Sequence, residues 1–176
     1  LSGESLDFNK DTRTASLDRI DNNLGYIINN VWWVQKNINS MKLTLSLSEF
    51  LYWCNLVINN DMSAYKLKYI ENKSPVWTGF GIVSGHYISS IRHGAKTRNI
   101  QFDITAEQAW NKLKRQNGRC ALTNIPLIFP DKYINGSSQT ASLDRIDSSK
   151  PYTFDNIQWG HKTINRMKWD YTDDYF

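Results

Sequence analysis

A stretch of 28 residues occurs twice in this chain, and this repeat limits the possible folds more than any other feature. Residues 15–42 read ASLDRIDNNLGYIINNVWWVQKNINSMK, and residues 141–168 read ASLDRIDSSKPYTFDNIQWGHKTINRMK. The two align without a gap at an offset of 126, with 15 of the 28 positions identical. Chance does not produce such similarity, so each copy is interpreted as one structural unit used twice.

Each copy has the pattern strand, turn, strand, helix. A short apolar strand, residues 15–17 or 141–143, leads into a turn rich in Asp, Asn, Ser, Gly and Pro. A second short strand is predicted around residues 26–28 and 152–154. A helix should follow, with an apolar face formed by Trp33, Ile38 and Met41 in the first copy and by Trp159, Ile164 and Met167 in the second. The pattern predicts an α+β fold that contains two ββα units, with additional helices between them.

Capping boxes predict two further helices. Residues 46–49 open one that extends to about Ile58, and residues 105–108 open another that extends to about Gln116. A third helix is predicted around residues 87–98.

These elements divide the chain into three parts. Residues 1–58 form a first unit, residues 59–118 a connecting basic and aromatic helical segment, and residues 119–176 a second unit. The first unit has no counterpart of the stretch before Ala121, so we interpret it as truncated at its N-terminal side and the chain as a fragment of a longer protein.

Composition excludes several classes of protein. With 40% hydrophobic and 22% charged residues, the chain is typical of a folded globular protein. Cys54 and Cys120 form no CxxC pair, so neither a structural zinc site nor a disulfide framework is expected. No apolar run approaches the roughly 18–20 residues that span a membrane, and a reducing cytoplasm is the expected location. The net charge of +4 weakly favours a polyanionic partner.

One Asp and two Asn recur in both copies at the same spacing. The second residue of each set follows the first by 12 positions, and the third follows the second by 9. Carboxylate and amide oxygens are ligands that Mg²⁺ accepts together with phosphate and water, and phosphodiester hydrolysis commonly uses such a metal. The two sets are Asp18, Asn30 and Asn39, and Asp144, Asn156 and Asn165.

This pattern resembles the HNH, or His-Me finger, endonuclease family, which has a ββα-metal fold. The phrase SLDRID…Y…NIQW..K.IN.MK resembles the branch common in phage-type and homing-endonuclease-like proteins, as do residues 98–105 and 120–123. The resemblance covers most of residues 80–176, and residues 1–58 as a truncated second copy. It implies that Asp18 with Asn39, and Asp144 with Asn165, each hold one Mg²⁺ or Mn²⁺. It further implies that Asn30 and Asn156 orient the site by hydrogen-bonding across the finger.

The chain departs from the family at the residue after the metal-binding Asp. The family has its general base there, a histidine, whereas this chain has Arg19 in one copy and Arg145 in the other. Arginine stays protonated and cannot accept a proton from water, but it can bind a phosphate with two hydrogen bonds and stabilise developing negative charge.

Another group would therefore have to serve as the base. His161 is predicted one helical turn before Asn165, on the same helix face, and its ordinary pKa suits proton transfer. The first copy has Gln35 at this position, which cannot act as a base, while Asp21 and Asp147 are less basic substitutes. We therefore expect the second copy to be the working site and the first to be impaired.

Basic residues cluster in the segment before the second copy. A solvated helix face is the ordinary interpretation of such a cluster, and a surface that follows a phosphate backbone is the alternative. The residues concerned are Arg92, Lys96, Arg98, Lys112, Lys114, Arg115 and Arg119.

Three functions are compatible with these features. The leading one is a metal-dependent endonuclease that cuts DNA, most simply double-stranded DNA, with the two fingers as a pseudo-dimer within one chain, as tandem units or within a homodimer. The second is a non-catalytic nucleic-acid-binding module that retains the finger as a scaffold. The third is a purely structural or decayed fragment, in which Asn30 and Asn156 are turn or helix-cap residues and Arg19 and Arg145 pair with Asp21 and Asp147.

Overall fold

The computed structural model describes residues 1–60, 78–129 and 138–176, and this part of the chain contains both helices and short antiparallel sheets. The predicted α+β class is confirmed. The chain divides into two compact units, Leu1–Ile58 and Asn59–Phe176, so residues 59–118 group with residues 119–176. Among the described residues, no helix has the length and apolar character needed to cross a membrane.

The first unit is a β-hairpin followed by two helices. Strand β1 (Ala15–Arg19) pairs antiparallel with β2 (Val31–Gln35), which runs directly into helix α1 (Lys36–Lys42). Helix α2 (Leu47–Ile58) begins where the capping box predicts, since the Glu49 carboxylate accepts the N–H of Ser46 at 2.9 Å.

The second unit places two helices before the same hairpin and helix. Helix α3 (Gly85–Thr97) and helix α4 (Ala106–Arg115) precede β3 (Ala141–Arg145), β4 (Ile157–His161) and α5 (Lys162–Lys168). The predicted capping box at the start of α4 is confirmed, because Thr105 and Gln108 exchange both side chain to backbone hydrogen bonds.

The second strand of each repeat lies later in the chain than the turn pattern predicts. Residues 26–28 and 152–154 belong to the connection, which ends in a 3-10 turn at Ile28–Asn30 or Phe154–Asn156. Trp33 and Trp159 lie on strands, opposite Leu17 and Leu143, and not on the helix as predicted. The helical spacing was misleading because the apolar strand continues into the helix without an intervening loop.

Trp159 is the centre of the core in the second unit. Its indole is fully buried, stacks on Tyr87 of α3 with ring centres 5.8 Å apart, and meets the edge of Phe129 at 4.9 Å. Its Nε1 donates a hydrogen bond to the carbonyl of Ala109 in α4 at 2.8 Å. Helices α3 and α4 therefore cover one face of the β3–β4 hairpin and leave the other face to α5.

The equivalent tryptophan of the first unit has a different environment. Trp33 is 53% exposed, and its ring contact is with Phe8 at 5.0 Å. The first unit is described in full and contains no helices that correspond to α3 and α4. The same hairpin therefore carries a buried core residue in one unit and a half-exposed one in the other.

Replacing each tryptophan by alanine should show the difference between the two environments as a difference in the free energy of unfolding. We expect Trp159→Ala to lower the free energy of unfolding of the second unit by about 3–5 kcal/mol, the usual cost of removing a buried aromatic side chain. Trp33→Ala should cost about 1 kcal/mol or less. Urea denaturation followed by far-UV circular dichroism measures both, and equal losses would contradict this description of the core.

Candidate active site

The face of the β3–β4 hairpin that α5 covers carries the polar residues of the repeat. Residues directly opposite each other in an antiparallel pair share a face, so Ser142 and Gly160 lie beside Asp144 and Gln158. Asn165 on α5 donates its amide N–H to the Ser142 hydroxyl at 2.7 Å. The structure therefore brings Asp144 and Asn165 to the same side of the hairpin.

A buried lysine joins the strand to the helix on this face. The Lys168 ammonium is fully buried and lies 2.9 Å from Asp144 Oδ2 and 3.0 Å from Asp173 Oδ1, and it also donates to the carbonyl of Arg145. The Gln158 amide donates to the carboxylates of both Asp144 and Asp173, at 3.1 and 2.9 Å. Burial raises the pKa of Asp144 above its ordinary value, and the nearby Lys168 ammonium opposes this effect.

The first unit repeats this ion pair with one difference. Lys42 is fully buried, lies 3.2 Å from both carboxylate oxygens of Asp18 and donates to the Arg19 carbonyl at 3.1 Å. The Trp32 indole donates to Asp18 Oδ2 at 2.9 Å, so both oxygens of this carboxylate are engaged. Asn39 bonds to the Ser16 hydroxyl at 2.8 Å, as Asn165 bonds to Ser142.

Asp144 is less completely engaged than Asp18. The hydrogen bonds that it accepts from Lys168 and Gln158 both fall on Oδ2. Among the described residues, none donates a hydrogen bond to its Oδ1 or to the Oδ1 of Asn165. The two units therefore differ at the aspartate, since Asp144 keeps Oδ1 available whereas both oxygens of Asp18 are engaged, and among the described residues the helical asparagine uses only its amide nitrogen in both units.

A cavity of about 240 Å³ lies between α3 and the edge of β3 that faces away from β4. Tyr87 of α3 marks this edge, since its hydroxyl accepts the backbone N–H of Leu143 at 3.0 Å. Burial raises the pKa of the Tyr87 phenol, which therefore stays neutral. The side chains that matter for the chemistry of the cavity are Arg98, Asp144, Arg145, Asn165 and Trp169.

Two arginines reach the cavity from different elements. Arg98 follows α3, is exposed and donates its Nε to the Gly94 carbonyl at 3.0 Å. Arg145 stands over the ring of Tyr152 at 5.2 Å and donates to the Lys150 carbonyl at 2.7 Å. Two positive charges therefore lie on the cavity that Asp144 and Asn165 line.

The arginines bind turn carbonyls instead of the neighbouring aspartates. Arg19 donates to the carbonyls of Asn22 and Leu24, at 2.9 and 3.0 Å, as Arg145 donates to Lys150. The side chain of Asp147 is held instead by Ser149 and Lys150, and these contacts, Ser149 first, lower its pKa to about 2. Pairing between the Arg and the Asp, one interpretation of the sequence, is therefore wrong.

Asn30 and Asn156 fix the turn that follows the first strand of each repeat. The Asn156 amide oxygen accepts the N–H of Asp147 at 2.9 Å, and its amide nitrogen donates to the carbonyls of Asp147 and Pro151 at 3.0 and 2.9 Å. Asn30 makes the corresponding three bonds, at 2.8, 2.9 and 2.9 Å. Both asparagines therefore hold the turn between the two strands of their hairpin, and Asn156 does not line the cavity.

The predicted position of His161 is wrong. His161 is the last residue of β4 and lies opposite Ala141, so it shares the hairpin face of Trp159 and not that of Asp144. Its Nδ1 accepts the N–H of Thr163 and caps α5, and its own N–H donates to Cys120 Sγ. The sequence pattern places residues 159–161 on the helix, whereas they belong to β4, and the alternation of side chains along this strand turns His161 away from Asn165.

The seven basic residues of the predicted phosphate-binding surface divide into separate groups. Arg98 alone among them lines the cavity in the described part of the chain. On α4, Lys112 and Arg115 stand over the ring of Phe154, at 4.7 and 4.9 Å, and burial lowers the pKa of Lys112. The others are Arg92, which stands over Phe102, Lys96, which is exposed, Lys114, which is near Trp110, and Arg119, which donates to the Asn124 carbonyl.

The chain is similar to a protein of viral origin. The chain is 27% identical over 156 residues to an uncharacterized protein, R423, of Acanthamoeba polyphaga mimivirus. The match covers 88% of this chain and 26% of the relative, so the chain spans about a quarter of the length of the curated relative that it matches. No family model matches the chain, and no solved structure matches it.

Because His161 is buried, we expect the free energy of unfolding to depend on pH. Burial, and to a lesser extent Lys162, lower its pKa in the folded protein below the value of about 6.5 that it has when unfolded. Between these two values the unfolded chain binds more protons, so the free energy of unfolding falls as the pH drops below about 6.5. We expect His161→Gln, which introduces the residue of the first copy, to reduce this fall. Urea midpoints at pH 7.5 and 5.5 measure it, and His93→Gln on the exposed side of α3 is the control.

Proposed function

We propose that the second unit of this chain is a metal-dependent endonuclease that hydrolyses phosphodiester bonds of DNA. The observation that carries the proposal is the meeting of Asp144 and Asn165, from a strand and a helix, on one cavity that Arg98 and Arg145 also line. A carboxylate, an amide oxygen and two guanidinium groups together suit a phosphate and its counter-cation.

The donor set of the second unit fits a hard divalent cation. Asp144 Oδ1 and Asn165 Oδ1 accept no hydrogen bond from the described residues, and Mg²⁺ or Mn²⁺ takes few protein oxygens and completes its shell with water and phosphate. Among the described residues, no three His, Cys, Asp or Glu side chains form a metal-binding group, so the ion would be held by Asp144 and Asn165 together with water and phosphate. A bound metal would neutralise phosphate charge during hydrolysis.

The arginines would hold the phosphate of the substrate. A guanidinium group donates two parallel hydrogen bonds to phosphate oxygens and stays charged at every physiological pH. Arg145 is already fixed by Tyr152 and the Lys150 carbonyl, so it loses little conformational freedom when a phosphate binds. Such preorganised charge stabilises the negative charge that develops as the phosphodiester bond breaks.

Removal of a proton from the attacking water is the step that this site assists least. No histidine is among the described residues that line the cavity, and the low pKa of Asp147 makes it a poor base. A positioned general base contributes about 10²–10⁴-fold to such reactions. We therefore expect solvent to accept the proton and turnover to be slow.

The first unit differs at Asp18, the carboxylate that would have to bind a metal ion. Both oxygens of Asp18 are held by Lys42 and Trp32, so the residues present do not fit a metal ion. We assign this unit a binding or scaffolding role in the proposed enzyme.

A non-catalytic nucleic-acid-binding module is the second candidate. Two observations favour it, the missing histidine of the cavity and the neutralisation of Asp144 by the buried Lys168. Binding of DNA without metal-dependent cleavage would support this candidate over the first.

The two copies provide a matched pair of variants for the test. Asn165→Ala and Asn39→Ala each remove a hydrogen bond to a serine hydroxyl at the same helix position, so their structural cost should be similar. We expect Asn165→Ala to lower the rate of plasmid nicking in Mg²⁺ by about 10²-fold or more, and Asn39→Ala to leave it within about twofold of the wild-type rate.

The same assay with EDTA completes the experiment. Wild-type nicking should stop when the metal is chelated. Equal losses in the two variants would refute the assignment of the site to the second unit, and wild-type protein that binds plasmid but never nicks it in Mg²⁺ or Mn²⁺ would refute the enzyme.

A further inference from the structure

Trp169 has a backbone conformation that side chains other than glycine rarely adopt. It directly follows α5, with φ 53° and ψ −114°, and its N–H donates to the Asn165 carbonyl at 3.2 Å. Its counterpart in the first unit, Leu43, has φ 54° and ψ −126° and makes the equivalent bond to Asn39. The fold therefore imposes this strained conformation at the end of the helix in both units, whatever the side chain.

The side chain of Trp169 is exposed on the candidate site. It is 68% exposed and lines the same cavity as Asp144 and Asn165. Among the described residues it has no aromatic or side-chain hydrogen-bonding partner, whereas Trp159 is fully buried against two rings. Because tryptophan is usually largely buried, an unpartnered indole beside a positively charged cavity indicates a surface for a flat ligand.

We propose that Trp169 is a stacking platform for a nucleobase of a single-stranded or locally opened segment of DNA. This rests on the proposed function in one respect, that the cavity receives a DNA phosphate. Arg98, Arg145 and Trp169 line the same cavity, so a phosphate held by the two arginines would bring the adjoining nucleotide to the indole. Stacking on an aromatic side chain needs no particular base, so the site selects for an unstacked base and not for a sequence. Leu43 has no aromatic face, so the first unit lacks this platform.

Binding to oligonucleotides with and without bases tests the platform directly. The full chain is compared with Trp169→Leu, which introduces the residue of the first unit, and with Trp169→Phe. The probes are a fluorescent oligo(dT) of 12 nucleotides and an abasic phosphodiester oligomer of the same length, measured by fluorescence anisotropy in EDTA so that cleavage does not interfere. Leu43→Ala is the matched control in the first unit.

We expect Trp169→Leu to weaken binding of oligo(dT) about 5- to 50-fold, Trp169→Phe to weaken it less, and Leu43→Ala to leave it unchanged. The abasic oligomer should bind wild-type protein and Trp169→Leu equally. The proposal is overturned if Trp169→Leu binds oligo(dT) as the wild type does, or if it weakens both probes to the same extent.

The result of this binding experiment does not depend on whether the protein cleaves DNA. Binding is measured without metal, so a protein that never cleaves DNA can still show the loss specific to Trp169→Leu, which would refute the enzyme and retain the platform. Retained affinity in Trp169→Phe together with its loss in Trp169→Leu attributes the effect to the aromatic face, since both variants keep a bulky side chain at the strained position.

Discussion

Each repeat contains a buried ion pair between an aspartate and a lysine, and this pair holds the strand and the helix of that repeat together. Asp18 with Lys42, and Asp144 with Lys168, connect the first strand of each repeat to the last residue of its helix. A buried charge is costly unless it is paired and hydrogen-bonded, so this pair fixes which helix face meets the hairpin. The helical asparagine is placed by the same packing and bonds to a strand serine in both units.

The two units then differ through the residue opposite the aspartate. Trp32 in the first unit engages the Asp18 carboxylate together with Lys42, whereas Gln158 in the second unit is shared with Asp173. In the first unit both oxygens of the carboxylate are therefore engaged, whereas in the second unit one carboxylate oxygen beside the cavity accepts no hydrogen bond from the described residues. Helix α3 contributes the other wall of that cavity, and the first unit has no equivalent helix. The proposed division of labour between the units follows from these two differences.

The sequence was sufficient for the repeat, the helix starts at the capping boxes and the location of Asp144 and Asn165 on one side of the hairpin, because these depend on local patterns and fixed spacing. It misplaced His161 and the strand tryptophans because a strand that runs straight into a helix mimics helical spacing. The buried Lys168 was missed as well, since a lysine at a helix end ordinarily reaches solvent and only tertiary packing shows otherwise. The cavity wall formed by α3 depends on long-range contacts that no motif encodes.

The central claim is that a divalent metal binds the second unit and not the first, because Asp144 has an oxygen that accepts no hydrogen bond from the described residues whereas both oxygens of Asp18 are engaged. Titration with Mn²⁺, followed by NMR of the asparagine side-chain amides, tests this claim most directly, because a bound paramagnetic ion broadens nearby resonances. The account predicts that substoichiometric Mn²⁺ broadens the Asn165 amide and leaves the Asn39 amide sharp. Equal broadening of the two amides, or none at either, would contradict it.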